Sequence, residues 1–238
     1  MNLIKSTGTF SFFTLISRIS GYLRDILIAI YLGAGPVADA FFVAFRIPNT
    51  FRRLFSEGTF NAAFIPSYKT ELIKGKNIGE KFANNILNIL IVSLLTIVFI
   101  IEIFMPFFVS IIAPGFKGNS EKIELAITLT RITFPFLFLV SLSSFFSAIL
   151  NSHNKFAVAS ASPIILNILL IIVLLFGKVL SDKLVYFISY AVTFAGLLQL
   201  LFLIFFVKKY FIPEISFKLN YNSKIKLFFK KLFPSIFS

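Results

Sequence analysis

Six arginines carry the most informative chemistry of this 238-residue chain: Arg18, Arg24, Arg46, Arg52, Arg53 and Arg131. Each falls inside a long apolar stretch, whereas all 17 lysines fall in polar breaks or at stretch edges. A cation at mid-bilayer costs about 2.5–3.5 kcal/mol on insertion scales, so six of them need a reason. Arginine stays charged and offers a planar fork that fits phosphate in bidentate fashion; a lysine ammonium does not. Four acids are embedded with them, Asp25, Asp39, Glu57 and Glu102, leaving a count of +2. That excess favours an anionic guest, and a diphosphate would offset it.

The arginines are not scattered. At 100° per residue, with Arg18 at zero, Asp25 falls near −20°, Thr14 near −40°, Gly21 near −60°, Ser17 near −100° and Arg24 near −120°. This polar stripe must face protein or a water-filled cavity rather than lipid. Its bland reading is an Arg18–Asp25 ion pair that sets helix packing. The second stretch is denser: Asp39, Arg46, Asn49, Arg52, Arg53, Glu57 and Asn61. Arg53 and Glu57 are four apart and can pair. Pro48 breaks or kinks the helix and Gly58 adds a second weak point. Interrupted helices with charges at the midplane mark substrate paths in transporters, although a salt-bridged structural kink is the alternative.

The elements that must position these residues are membrane helices. Hydrophobic residues make up 58% of the chain, charged residues 14%, and the mean hydropathy is +0.92. A soluble core of this length cannot hide so much apolar surface. Six spans of roughly bilayer length are expected: Phe10–Leu32, Val37–Ile65, Phe82–Ile112, Ile123–Leu150, Ala157–Phe176 and Leu184–Val207. Turn-like breaks separate them, among them Pro66 to Lys81 and Asn151 to Lys155. With the N-terminus in the cytoplasm, 13 lysines lie on the cytoplasmic side and 4 opposite. The positive-inside bias supports that orientation, and it accounts for most of the +13 charge without nucleic acid. Residues 1–207 form the expected six-helix lobe. Residues 208–238 form a basic amphipathic cytoplasmic linker, with Pro234 opening a seventh helix.

Other polar groups in the spans read as structure. Asn84, Asn85 and Asn88 are expected to bond at the interface, Asn167 and Gln199 to act as interhelical glue, and Arg131 with Pro135 to form a hinge or packing pair. His153 is expected to be solvated in a turn, and the 34 phenylalanines to be chiefly lipid-facing bulk. There is no cysteine and a single histidine, so thiol chemistry and histidine-rich metal sites have no ligands. No catalytic constellation, nucleotide loop or acidic metal cluster is present. The expected protein is not an enzyme, and no cofactor or metal is expected.

The motifs then resemble a known family. Ser17-Arg18-Ile19-Ser20-Gly21 to Arg24-Asp25, Gly33-Ala34-Gly35, the run Asp39 to Asn49, Arg52-Arg53-Leu54-Phe55-Ser56-Glu57-Gly58 and Ala63-Phe64-Ile65-Pro66 closely resemble the amino-terminal end of the MurJ (MviN) lipid II flippases. Ala113-Pro114-Gly115-Phe116, Ile132-Thr133-Phe134-Pro135, Ala148-Ile149-Leu150-Asn151 and Pro163 with Leu166-Asn167-Ile168 extend the match collinearly. The resemblance implies an all-α fold of the MOP superfamily (MATE-like), two helical lobes around a central cavity. This chain would supply the first lobe, six helices, cut at the start of helix 7. It implies a substrate, lipid II, the undecaprenyl-diphosphate-linked disaccharide-peptide of peptidoglycan synthesis. Lipid II would move from the cytoplasmic to the periplasmic leaflet of the bacterial inner membrane by alternating access.

By the same resemblance Arg18, Arg24 and Arg52 are cavity arginines and Asp39 a functionally important acid. Asp25, Asn49, Arg53 and Glu57 match other conserved polar positions. Substrate binding is therefore expected at Arg18, Arg24, Arg52, Arg53 and Asn49, and charge pairing or gating at Asp25, Asp39 and Glu57. Expected partners are lipid II, membrane lipids, and a carboxy-terminal lobe or second chain, so a fragment is the expected status. Two alternatives stand beside this one: a flippase for another polyprenyl-diphosphate-linked glycan, or a non-transporting membrane scaffold for cell-wall enzymes.

Overall fold

A computed structural model describes residues 3–56, 59–216, 225–228 and 230, with all their side chains except those of residues 3–7, Ile47, residues 51–56, Thr59 and Asp182. Ten α-helices lie among the described residues: α1 (Leu3–Leu32), α2 (Pro36–Ser56), α3 (Thr59–Lys74), α4 (Lys76–Ile103), α5 (Met105–Ile112), α6 (Ser120–Thr133), α7 (Phe136–Ser152), α8 (Phe156–Leu175), α9 (Gly177–Leu180) and α10 (Leu184–Val207). They form the six-helix lobe of a polytopic membrane protein, with α2–α3, α4–α5 and α6–α7 each a broken crossing. By length and composition, four segments are apolar enough to cross a membrane: α4, α6 with α7, α8 and α10. The other two, α1 and α2–α3, carry all the embedded charges except Glu102 of α4 and Arg131 of α6.

The helix limits follow local chemistry. Gly33 ends α1 with φ +63°, a left-handed conformation that glycine adopts without Cβ strain, and its amide closes on the Ala29 carbonyl at 3.1 Å. The expected break from Pro66 to Lys81 shrinks to Gly75. Here α3 runs through Pro66 to Lys74 and α4 starts at Lys76. Serine and threonine hydroxyls sit on the carbonyls around Pro66, Ser67 on Ala63 and Thr70 on Pro66. Ion pairs Lys74–Glu71 and Lys76–Glu80 decorate the flanking turns. Likewise α2 continues through Pro48, and the weak point at Gly58, with Glu57, lies outside the described residues.

At the centre is α7, whose serines let neighbouring backbones approach. Ser141, Ser143, Ser144 and Ser152 are buried, and each hydroxyl donates to the carbonyl four residues back. The packing is tight enough that a Cβ on Gly196 of α10 would stand 2.5 Å from the Phe136 ring. Two hydrogen bonds fix helix registers at the α6–α7 break: Thr133 to the Ala44 carbonyl (2.9 Å) and Thr193 to the Ile132 carbonyl (2.5 Å). The phenylalanines divide, correcting their reading as lipid-facing bulk. Phe42, Phe99 and Phe205 are exposed, but Phe60, Phe64, Phe145, Phe211 and Phe228 are buried together with Tyr68. Phe60, Phe64 and Tyr68 stack in series at 5.3 and 5.4 Å, a row that one side of α3 must present.

After α10 the chain turns back under the lobe. Phe211 meets Phe145, and Ile225 and Phe228 join the aromatic cluster. Asn84 and Asn88 of α4, expected to bond only at the interface, clamp this returning backbone. Glu214 donates its amide to Asn84 Oδ1 (2.9 Å), Ser216 donates to Asn88 Oδ1 (2.9 Å), and Asn88 Nδ2 donates to the Glu214 carbonyl (3.2 Å). Pro234 lies outside the described residues.

His153 is also corrected. It caps α7 half-buried, stacked on Tyr210 at 4.9 Å, with Nε2 3.4 Å from the Tyr68 hydroxyl. Burial first, and the Lys69 charge second, hold its pKa below the usual 6.5.

Two outcomes follow. Asn88→Leu removes two of the three clamp bonds, and hydrogen exchange read by mass spectrometry should rise roughly tenfold at residues 214–216, with α4 unchanged. For His153 the unfolded chain binds the proton more readily than the fold. Its stabilising contribution is therefore full above pH about 6.5 and drains as pH falls through the lower folded value. The unfolding temperature in detergent should drop between about pH 7 and about pH 5, and His153→Gln should flatten that part of the profile.

Candidate functional site

The α1 stripe divides between two environments. Along one edge α1 packs on α8, its main partner. The buried amide of Asn167 reaches across: Nδ2 donates to the Ser17 carbonyl (2.9 Å) and to Ser20 Oγ (3.2 Å), and Oδ1 accepts from Arg24 Nη1 (2.8 Å). Gly21 makes room, since a Cβ there would already touch that amide at 3.5 Å. Asn167 is thus interhelical glue as expected, and in addition it orients an arginine, which sequence reasoning missed. The signal was available: an embedded amide one turn beyond Pro163, opposite a helix with glycine and serine at matching spacing.

Arg24 is held from three sides. Its Nε (3.0 Å) and Nη2 (2.7 Å) both donate to Asp25 Oδ1, and its guanidinium lies 5.6 Å from the Phe45 ring centre on α2. Adjacent residues on a helix diverge by about 100°, so this pair exists because the long arginine stem bends round toward the carboxylate. The Arg24 side chain is 13% exposed and that of Asp25 is 63% exposed. Asp25 therefore pairs with Arg24, not with Arg18. Arg18 is exposed and has no ion pair among the described residues; the same holds for Arg46.

Asp39 stands apart from this cluster. It sits in the first turn of α2 and pairs with Lys122 in the first turn of α6 at 2.5 Å, with Lys122 also over the Phe116 ring at 4.2 Å. Its partner here is a lysine, not an arginine. Asn49 is half-buried on α2 beyond Arg46. Arg52 and Arg53 lie in the closing turns of α2, their side chains outside the described set, as is Glu57. Gln199 departs from its expected role: it is buried, and its Nε2 has no hydrogen-bond partner among the described residues. It faces Ser143, Ser144 and Ser162 across a cavity of about 20 Å³, room for one water. No group of three or more histidine, cysteine or acidic residues suited to a metal occurs among the described residues.

Chemically, this arrangement is one that can receive an anion: a held guanidinium whose counter-ion, Asp25, faces outward. Asn167 and Phe45 hold the guanidinium in place, while the carboxylate that balances it faces outward. The guanidinium is largely buried and only the Asp25 side of the pair is open, so a phosphate oxygen can replace the carboxylate there while the arginine stays paired with a negative charge.

The fold defines the class first. An outward-facing multidrug resistance MATE family transporter of the MOP superfamily matches 98% of this chain and 52% of its own, with TM-score 0.65 and 19% identity. At that identity the likeness shows the fold alone: this chain has the fold of about half of that transporter. A solved lipid II flippase MurJ, in an inward closed conformation, matches with TM-score 0.77 and 27% identity over 96% of this chain and 46% of its own. The family model described as Lipid II flippase MurJ covers residues 28–238. The probable lipid II flippase MurJ of Rickettsia prowazekii (strain Madrid E) is 40% identical over 210 residues, 88% of this chain and 41% of the relative. That of Buchnera aphidicola subsp. Schizaphis graminum (strain Sg) is 38% identical over 241 residues, 99% and 46%. The chain belongs to the lipid II flippase MurJ family, and it spans less than half the length of these relatives.

The α1–α8 contact is open to test. Asn167→Leu should lower stability by about 1 kcal/mol in detergent unfolding, the scale of an interhelical polar contact in a membrane. Asn167→Asp keeps an acceptor for Arg24 but sets a carboxylate oxygen against the Ser17 carbonyl, and should leave the loss largely unrecovered.

Proposed function

We propose that this chain is the amino-terminal half of a lipid II flippase, carrying the undecaprenyl-diphosphate-linked disaccharide-peptide from the cytoplasmic to the periplasmic leaflet by alternating access. The carrying observation is Arg24, oriented by Asn167 and Phe45 and, among the described residues, ion-paired with the outward-facing Asp25 alone. A diphosphate takes the place of Asp25 on the guanidinium fork. Arg18, exposed six residues earlier on α1, reaches the same headgroup, and Arg52, Arg53 and Asn49 on α2 complete the clamp. Asp25, Asp39 and Glu57 hold the cations when the cavity is empty, with Lys122 serving Asp39 in the state described.

The lysine distribution supports a cytoplasmic N-terminus in the inner membrane. In that orientation residues 208–238 form the cytoplasmic connection to a second lobe, the partner that closes the cavity over α1 and α2. Family membership supports transport rather than catalysis. No nucleotide loop is present in the sequence, so the reading draws on membrane potential or coupled ions, with about 2.3 kcal/mol available per charge per 100 mV.

The test uses cells whose wall synthesis depends on the gene carrying this sequence, with lipid II in the outer leaflet as the readout. Arg24→Ala and Arg52→Ala should each lower its appearance about tenfold or more, as expected for loss of a charge-assisted phosphate contact. Normal transport by both variants at normal expression would sink the diphosphate clamp.

A further inference from the structure

A groove of about 710 Å³ lies apart from the Arg24 site. It lies between the end of α6, the start of α7, α8 and α10, lined among others by Arg131, Leu139, Val173, Tyr190, Phe194 and Leu197. On α8 the groove residues Leu169 and Val173 are about 200° and 240° round the helix from Asn167. The groove therefore opens on the side of α8 away from α1. Its walls are apolar except for Arg131, Thr193 and the Tyr190 hydroxyl. On the same side of α10, Phe187, Tyr190, Phe194, Leu197 and Leu201 are exposed, a stripe of large apolar side chains suited to lipid.

Arg131 is exposed and makes no ion pair among the described residues. Glu102 feels its charge without a salt bridge between them. Depth explains how the cation is tolerated. The α6–α7 crossing is 33 residues long, Ser120–Ser152. At ~1.5 Å per residue, with ~30 Å of hydrocarbon centred on it, Arg131 sits ~7 Å inside the polar boundary nearer Lys122. An arginine stem spans that distance by snorkelling. The Thr193–Ile132 hydrogen bond sets α10 at matching depth. Tyr190 is thus at the boundary end of the groove, and Leu139 and Leu197 at the end toward the midplane.

A cation at the boundary above an apolar trough is the shape and charge complement of a lipid. We propose that this groove docks an anionic glycerophospholipid, its phosphate on the Arg131 guanidinium and one acyl chain along Leu139, Val173, Phe194 and Leu197. The volume falls in the range of pockets that enclose an organic ligand. Tyr190 can donate its hydroxyl to the same headgroup. This site is independent of the transported substrate.

The chain has no tryptophan, so Phe194→Trp in the full 238-residue chain is a single reporter inside the groove. In phosphatidylcholine vesicles, brominated phosphatidylglycerol should quench it with an apparent affinity about fivefold above that of brominated phosphatidylcholine, the scale of one basic side chain meeting anionic lipid. Arg131→Gln should abolish the preference and Arg131→Lys should retain most of it. Leu201→Trp, on the lipid-facing stripe but outside the groove, should show no preference with or without Arg131→Gln, and it also reports whether that variant is folded and inserted. Equal quenching by both lipids at Phe194→Trp overturns the proposal. So does a preference that survives Arg131→Gln, the same preference at Leu201→Trp (an annular effect), or no quenching by either lipid (a groove covered by protein).

Discussion

A guanidinium cannot lose its proton, so every arginine placed at bilayer depth must be met by protein, by water or by the membrane boundary. That constraint organises the lobe. Arg24 is met by Asp25, Asn167 and an aromatic face; Arg131 is met by proximity to the boundary; Arg18 and Arg46 stay on exposed surface. Nothing in the apolar bulk of the chain requires these solutions.

The scaffold that holds them is built from small hydroxyl residues as much as from large apolar ones. Where the helix ladder stops at the Phe134–Pro135 break, Thr133 and Thr193 tie α6 to α2 and to α10 through backbone carbonyls. On α7 each buried serine satisfies itself on its own helix, which frees its surface for close packing. Two apolar clusters result, one around α2, α6, α8 and the start of α10, the other around α3, α4, α7 and the returning chain after α10. Because Asn84 and Asn88 grip that returning chain through its backbone, the grip depends on the path of the chain and not on its side chains. Residues 214–216 are therefore fixed to the lobe at α4.

Membership of the lipid II flippase MurJ family and a fold covering about half of a MOP-superfamily transporter give the arrangement its meaning. The α1 face carrying Arg18, Asp25, Phe12, Ile19 and Tyr22 is exposed on the lobe itself. Of the Arg24–Asp25 pair only the carboxylate is open, the guanidinium being largely buried against Asn167 and Phe45. Asp39 is arranged differently: its bond to Lys122 joins the start of α2 to the start of α6, so changing its partner would loosen two helices at once.

Much of this was legible in the residues. Composition alone required membrane helices, because no soluble core of this size could bury the apolar surface. The arginine positions, the α1 stripe and the family motifs could be read directly, since chemistry at fixed helical spacing survives without coordinates. Helix continuity was read less well. Pro66 marked a break to the eye, yet α3 runs through it, since one lost hydrogen bond is small beside the packing of Phe60, Phe64 and Tyr68. Specific partners were read least well. That Asn167 would orient Arg24, that Asp25 would choose its neighbour over Arg18, that Asp39 would find Lys122 and that His153 would be stacked and desolvated are facts of tertiary contact. Sequence spacing determines which side of a helix a residue occupies; only the packing of one helix against another determines what stands opposite it.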